Sequence, residues 1–290
     1  MAFAVRDEDD ILDLKLRHHL DCGFSHFHII NHGSNDGCAD ILARYVDLNC
    51  VSLIQKHRDA PASNSWIAEL MDAARARNPS AYLTICDTDE FIFPQKPLAD
   101  VMDGETTYAL PRKNCFPDHE SLSWTGQDLF SVFRNMVDQG HDTTPFRLRI
   151  QRGEPLGDVF DSIDFPIFFQ DLSAAPKLFF PLEKVEELRA GAHHVAAWAQ
   201  AGRNTLVAEE ALTIRHFPLR SLAGLRRRTL SYLKYFKDNP DLPNGWGWQN
   251  RYIIHLGAFG QLQNEWNRHI LPADLGMLAD GPSRITRIKS

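Results

Sequence analysis

A mixed α/β fold, with a mostly parallel sheet flanked by helices and a more irregular C-terminal half, is predicted by three observations. Short apolar runs alternate with amphipathic helical segments through the first third of the chain. The turns that close several of these runs are rich in Asp, Asn and Gly. Beyond Pro94 the alternation lapses into stretches of Pro, Gly, Asp and aromatic residues without a clean period.

The elements follow in order. Ala2–Val5 is a strand that leads into Asp9 and Asp10, acids suited to a helix N-terminus, and then into a helix with Leu12, Leu16 and Leu20 at four-residue spacing, ended by Gly23. Residues 27–30 form a second strand, and the turn Asn31-His-Gly-Ser-Asn-Asp-Gly37 delivers the chain to a helix containing Ile41, Leu42 and Tyr45. Residues 51–54 form a third strand. After Pro61 a helix places Ile67, Leu70, Met71 and Ala74 on one face. Residues 81–86 make the fourth strand, and 106–110 and 177–180 are strand-like. Residues 206–214 read as one strand, 222–236 and 252–262 as helices, and 112–171 as loops, short helices and an antiparallel strand or two. No internal repeat or interdomain linker breaks the chain, so one compact domain is expected.

Composition narrows the function classes. At 290 residues, 43% hydrophobic and 24% charged, the chain can bury a sizeable core. No run approaches the roughly 18 to 20 apolar residues of a membrane span, and no basic segment followed by an apolar one precedes the first strand. A cytoplasmic location is expected. Five cysteines without a CxxC pair argue against a disulfide framework and a zinc cage. A formal net charge of -7 argues against nucleic acid as a general partner.

The most informative motif is Asp87-Thr-Asp89, set where a buried strand meets solvent and followed by Glu90-Phe-Ile-Phe93. Two carboxylates one residue apart can reach the same small volume, where a cation between them relieves their repulsion. Magnesium or manganese, incompletely filled by protein oxygens and completed by a diphosphate, suits such a pair. The bland alternative is a solvated turn. A second candidate is the turn 31–37, whose backbone N–H groups and following helix dipole can receive polar groups of a nucleotide. A third is Arg6-Asp-Glu-Asp9, again at a strand's carboxyl end, where the acids serve equally well as N-terminal helix charges. All three lie at carboxyl ends of strands, the side on which open α/β sheets bind ligands.

Together, Val5-Arg-Asp-Glu-Asp9, residues 23–37 and Ile85-Cys-Asp-Thr-Asp-Glu-Phe91 resemble family-2-like and family-92-like glycosyltransferases of GT-A fold, over about the first hundred residues. The resemblance implies a Rossmann-like sheet and a DxD motif holding Mn2+ or Mg2+ against the diphosphate of a nucleotide sugar, with a UDP-sugar favoured. It implies Asp89 as a direct metal ligand and Asp87 in contact with metal or ribose. It also places Asn31 and Asp36 around the nucleotide, and Arg6 and Asp7 at the base and ribose. Asn31 stands where many relatives carry an acid. Residues 1–105 become a nucleotide-sugar-binding half and 106–290 an acceptor-binding, site-completing half.

Later segments are similar to the family's in outline. Gly191-Ala-His-His194 and Ile214-Arg-His216 offer His193 and His216 as rivals for a histidine that completes the metal or diphosphate site. Arg215, Arg220 and Arg226 to Arg228 concentrate positive charge in an acidic chain. Arg220, just before a helix start, is the chosen partner for a leaving diphosphate, whereas Arg226 to Arg228 fit a solvated face or an attraction to anionic lipid. An inverting transferase needs a carboxylate base, and the candidates are Asp118, Glu120, Asp128, Glu209 and Glu210, with Asp118 preferred. Phe116, Trp124, Trp246 and Trp248 are candidates for stacking on sugars or for the core.

The expected activity is therefore metal-dependent hexosyl transfer to a hydroxyl of a glycan or lipid-linked glycan in surface polysaccharide synthesis, by a protein peripheral to the inner face of a membrane. A haloacid-dehalogenase-like phosphatase is the first alternative, although that family expects Thr or Val where Phe91 stands and puts its motif on the first strand. A nucleotidyltransferase would want a Gly-rich loop after the first strand, which Arg6-Asp-Glu-Asp9 does not provide. A non-catalytic glycan- or nucleotide-binding relative is the third.

Overall fold

The computed structural model describes residues 1–58, 65–117, 129–169, 176–199, 205–208, 211–270 and 284–288. In chain order the elements are β1 (Ala2–Val5), α1 (Asp9–Asp21), β2 (Phe27–His32), α2 (Cys38–Asp47), β3 (Val51–Lys56), α3 (Ser65–Arg77), β4 (Tyr82–Thr84), β5 (Glu90–Pro94), β6 (Thr106–Leu110) and β7 (Arg112–Phe116). They continue with α4 (Leu129–Val132), β8 (Asn135–Gln139), α5 (Thr144–Gln151), α6 (Leu156–Phe160), β9 (Lys177–Pro181), β10 (Val185–Leu188), β11 (Val195–Trp198), β12 (Thr205–Ala208) and β13 (Leu212–His216). Helices α7 (Leu222–Asp238), α8 (Trp248–Ala258) and α9 (Leu262–His269) and strand β14 (Arg284–Arg287) complete the chain. The architecture is mixed α/β, with a parallel three-stranded sheet flanked by helices.

Two contact units divide the chain. The first comprises 1–113, 125–129 and 173–216, and the second 114–124, 130–172 and 217–290. These units are interleaved in sequence.

In the first unit, β1, β2 and β3 pair in that order, all parallel. Their period-2 alternation sends side chains to two faces. Phe3, Val5, Phe27 and Ile29 pack with Leu12 and Leu16 of α1 and Leu42 of α2. Ala2 and Ile30 pack with Trp66, Leu70 and Met71 of α3. Helix α1 ends as expected, since Gly23 takes a positive φ of 96° and lets Gly23 and Phe24 donate back to the carbonyls of Leu20 and His19.

The expected fourth strand is shorter than residues 81–86. Strand β4 covers only 82–84 and pairs antiparallel with β9, and Ile85, just after it, forms an isolated parallel bridge with Ala2 of β1. Residues 206–214 form two strands rather than one. Strand β12 pairs with β6, and β13 lies antiparallel to β5, with Ile214 opposite Ile92 and His216 opposite Glu90.

In the second unit, β8 pairs antiparallel with both β7 and β14. Its core contains Phe116, Phe160, Phe165, Trp248, Tyr252 and Ile253. Phe116 and Trp248 are buried there, at 0% and 4% exposure, so their core reading is the one the structure supports. The expected helix 252–262 is instead α8 and α9, separated where Gly260 turns to a φ of 69°.

The loop after β2 has a steric requirement. Gly33 holds a φ of 56°, and a Cβ there would lie 2.6 Å from the Arg58 amide nitrogen. Gly33→Ala is expected to destabilise the protein by about 1–3 kcal/mol, because the strained conformation and the backbone clash act together. Urea unfolding checks this; an unchanged midpoint would show that the loop relaxes freely.

Candidate functional site

The carboxyl ends of β1 and β2 are joined by a clasp of side chains. Asp7, at a positive φ of 54°, accepts from Arg58 at 2.6 and 3.0 Å and from the Asn35 amide at 2.8 Å. Its own amide donates to Ser34 Oγ, while Asn31 Oδ1 accepts from the Ser34 amide and hydroxyl. Asp9 and Asp36 exchange bonds across the same gap: the Asp9 amide donates to Asp36, and the Gly37 amide donates to Asp9. The hydrogen bond from Arg58 lowers the Asp7 pKa most, burial opposes it, and the Arg6 charge adds a smaller pull in the same direction as Arg58. The structure thus brings Asp7, Asn31 and Asp36 into one locality and uses their oxygens to shape the loop.

The Asp87-Thr-Asp89 turn is built against the same sheet end. The Cys86 amide donates to the Ala2 carbonyl, and the Thr88 hydroxyl donates to the Ala4 carbonyl at 3.0 Å, which fastens the turn to β1. Glu90 closes it. Its amide donates to the Asp87 carbonyl, and its own Oε2 accepts from the Asp87 amide at 2.8 Å.

Three cations converge on this turn. Lys15, fully buried on α1, donates to the carbonyls of Asp87 and Glu90 at 3.0 and 2.5 Å. Arg112 lies 2.6 Å from Glu90 Oε1. Lys177, at the start of β9, is 3.2 Å from Asp87 Oδ2, 3.5 Å from Glu90 Oε2 and 3.2 Å from the Gly191 carbonyl. Burial by itself would raise the Glu90 pKa, but Lys177 and Arg112 outweigh it and bring the value down to about 2. The two lysines diverge. Burial lowers the pKa of Lys15, which donates to the carbonyl dipoles of Asp87 and Glu90; for Lys177 the same penalty is overcome by Asp87 and Glu90, and its pKa rises.

Asp89 faces a different partner. The register of β13 against β5 sets His216 opposite Glu90, and His216 Nε2 lies 3.3 Å from Asp89 Oδ2. Both side chains are about 15% exposed, at 15% and 14%. His193 is placed elsewhere, with Nδ1 against the Pro176 carbonyl at 2.9 Å and Lys177 among its charged neighbours. Burial, reinforced by Lys177, lowers its pKa.

An oxygen and a nitrogen 3.3 Å apart have close to the spacing of adjacent ligands around one small divalent ion, for ligand distances of about 2.1 Å. Among the described residues no group of three or more His, Cys, Asp and Glu side chains is gathered for a metal. Asp89 and His216 together supply one carboxylate oxygen and one imidazole nitrogen.

Of the remaining candidates, Asp118, Glu120, Asp128, Glu209, Glu210 and Trp124 lie outside the described residues. Arg220 belongs to the second unit, where it donates to the Phe217 carbonyl at 3.3 Å. Sequence reasoning passed over Lys15, Arg58, Arg112 and Lys177. Lys15 had a signal: it occupies an apolar position of α1, in line with the buried Ile11 and His19 at four-residue spacing.

No family model matches this chain, and no curated protein matches it. Two solved structures of S. aureus TarS are similar to it. TarS 1-349 is 12% identical, with 92% of this chain and 70% of that one covered and a TM-score of 0.38. The same protein in complex with UDP-GlcNAc is 9% identical, with 92% and 89% covered and a TM-score of 0.43. Likeness at that level carries no argument about function, which is read from the residues.

Glu90 makes the turn sensitive to acid. Its folded pKa lies below the ordinary 4.5, so its contribution to stability is complete above about pH 4.5 and is lost as pH falls through about 2. Glu90→Gln leaves Arg112 and Lys177 buried with less compensation and is expected to cost about 3–5 kcal/mol at neutral pH. The difference from the natural protein should shrink towards pH 2 in denaturant titrations. A loss independent of pH would assign Glu90 a packing role instead.

Proposed function

We propose that this protein is a GT-A-type glycosyltransferase that moves a hexosyl group from a nucleoside diphosphate sugar to a hydroxyl of a glycan or lipid-linked glycan. The pairing of Asp89 with His216 at the mouth of a parallel sheet carries this reading. Asp89 and His216 would hold Mn2+ or Mg2+. When bound, the ion supplies charge stabilisation to the departing nucleoside diphosphate.

The chain's own groups do the rest of the work near that position. Lys177 neutralises Asp87, so the second carboxylate of the motif does not repel an incoming diphosphate. The 31–37 loop is held by Asp7 and Arg58, and the nucleotide would lie against it. A UDP-sugar is the favoured donor and surface polysaccharide the favoured product class. Asp118 is the proposed general base.

Calorimetric titration of UDP with and without manganese tests the reading. The natural protein is expected to bind UDP more tightly with the ion, and Asp89→Asn and His216→Ala should each reduce that gain roughly tenfold or more. Asp89→Ala should also abolish sugar transfer in a donor screen. Manganese-supported UDP affinity that survives both Asp89→Asn and His216→Ala would remove these residues from the metal site.

A further inference from the structure

We propose that the outward face of α7 is a docking surface for an anionic lipid bilayer. This inference stands on the second unit alone and does not depend on the catalytic reading.

Helix α7 runs for 17 residues and starts cleanly, with the Ser221 hydroxyl accepting from the Gly224 amide at 3.0 Å. Its inner side is committed to the core. Leu225 and Thr229 are buried, Thr229 lies close to Gly257 of α8, and Arg228 Nε donates to Asn250. The outer side is a single helical strip. At 100° per residue, Arg226, Leu230, Leu233 and Lys237 fall within a narrow arc, with Arg227 and Lys234 beside it.

Two features of this strip call for a partner. Leu230 and Leu233 are 66% and 49% exposed, one turn apart, at the centre of the face. Four exposed cations surround them in a chain whose net charge is -7. Among the described residues Arg226, Arg227 and Lys237 make no ion pair, while Lys234 meets Asp238 at 3.3 Å.

Charge complementarity selects the occupant. An anionic bilayer attracts clustered Lys and Arg and accepts leucines at the boundary between headgroups and acyl chains, while the cations' aliphatic stems lie along the surface. A nucleic acid would use the cations and gain nothing from two leucines. The helix does not cross the membrane, because no described helix is long and apolar enough. It would lie in the interface plane.

Sedimentation with vesicles of phosphatidylcholine alone, or with 30% phosphatidylglycerol, tests the proposal on the full chain. Binding is expected only with the anionic lipid and should weaken at high salt. Reversing Arg226 and Arg227 to Glu should lower vesicle affinity by about 25-fold or more. Changing Leu230 and Leu233 to Ser should lower it by about tenfold. The control Arg147→Glu with Arg152→Glu carries the same charge change on exposed positions in α5 and just after its end, and should stay within about twofold. Circular dichroism checks that each variant is folded. No binding to anionic vesicles at low salt would overturn the proposal. So would equal losses in the α5 control, or a self-association that the Leu→Ser pair abolishes without any vesicle binding.

Discussion

The sealed carboxylate of Glu90 is the interaction on which the candidate site depends. It takes the Asp87 amide on one oxygen and Arg112 on the other, and Lys177 approaches it while also reaching Asp87. A buried charge network of this kind gives no assurance of net stability, since desolvation offsets much of the attraction. What it gives here is shape. With Glu90 ionised, the four residues from Asp87 to Glu90 are bound at both amides and both carbonyls named above, and Lys15 closes the carbonyl side.

That fixed shape separates two carboxylates that the sequence presents as equivalent. Placed one residue apart, Asp87 and Asp89 are expected to share one cation. In the structure each has its own counterpart: Lys177 for Asp87, which is 64% exposed, and His216 for Asp89, which is 14% exposed. A permanent ammonium beside Asp87 lowers the local negative charge at the turn.

Much of this was legible in the chain. Periodicity located every element through α3, because strands and helices buried on known faces must repeat at 2.0 and 3.6 residues. It failed where tertiary pairing overrides local pattern. Residues 206–214 look like one apolar run, yet their two strands join different partners, and nothing in the run itself records that. The carboxylate turn was readable as a motif. Its supports were not, because Lys15, Arg112 and Lys177 are 75, 22 and 87 residues from Glu90 along the chain, and such distances leave no local signature. Which histidine lies beside Asp89 was likewise hidden: the pairing of β13 with β5 sets His216, not His193, there.

Basic residues in this acidic chain follow two separate logics, and burial distinguishes them. Lys15 and Lys177 are sealed and each finds oxygen partners, so their positive charge is spent on holding one turn. Those of the α7 strip stand in water around exposed leucines, so their charge projects outward and falls off over the Debye length. Composition counts both kinds alike. Once the inward cations are set aside as matched, the α7 strip stands out because its exposed cations flank two exposed leucines.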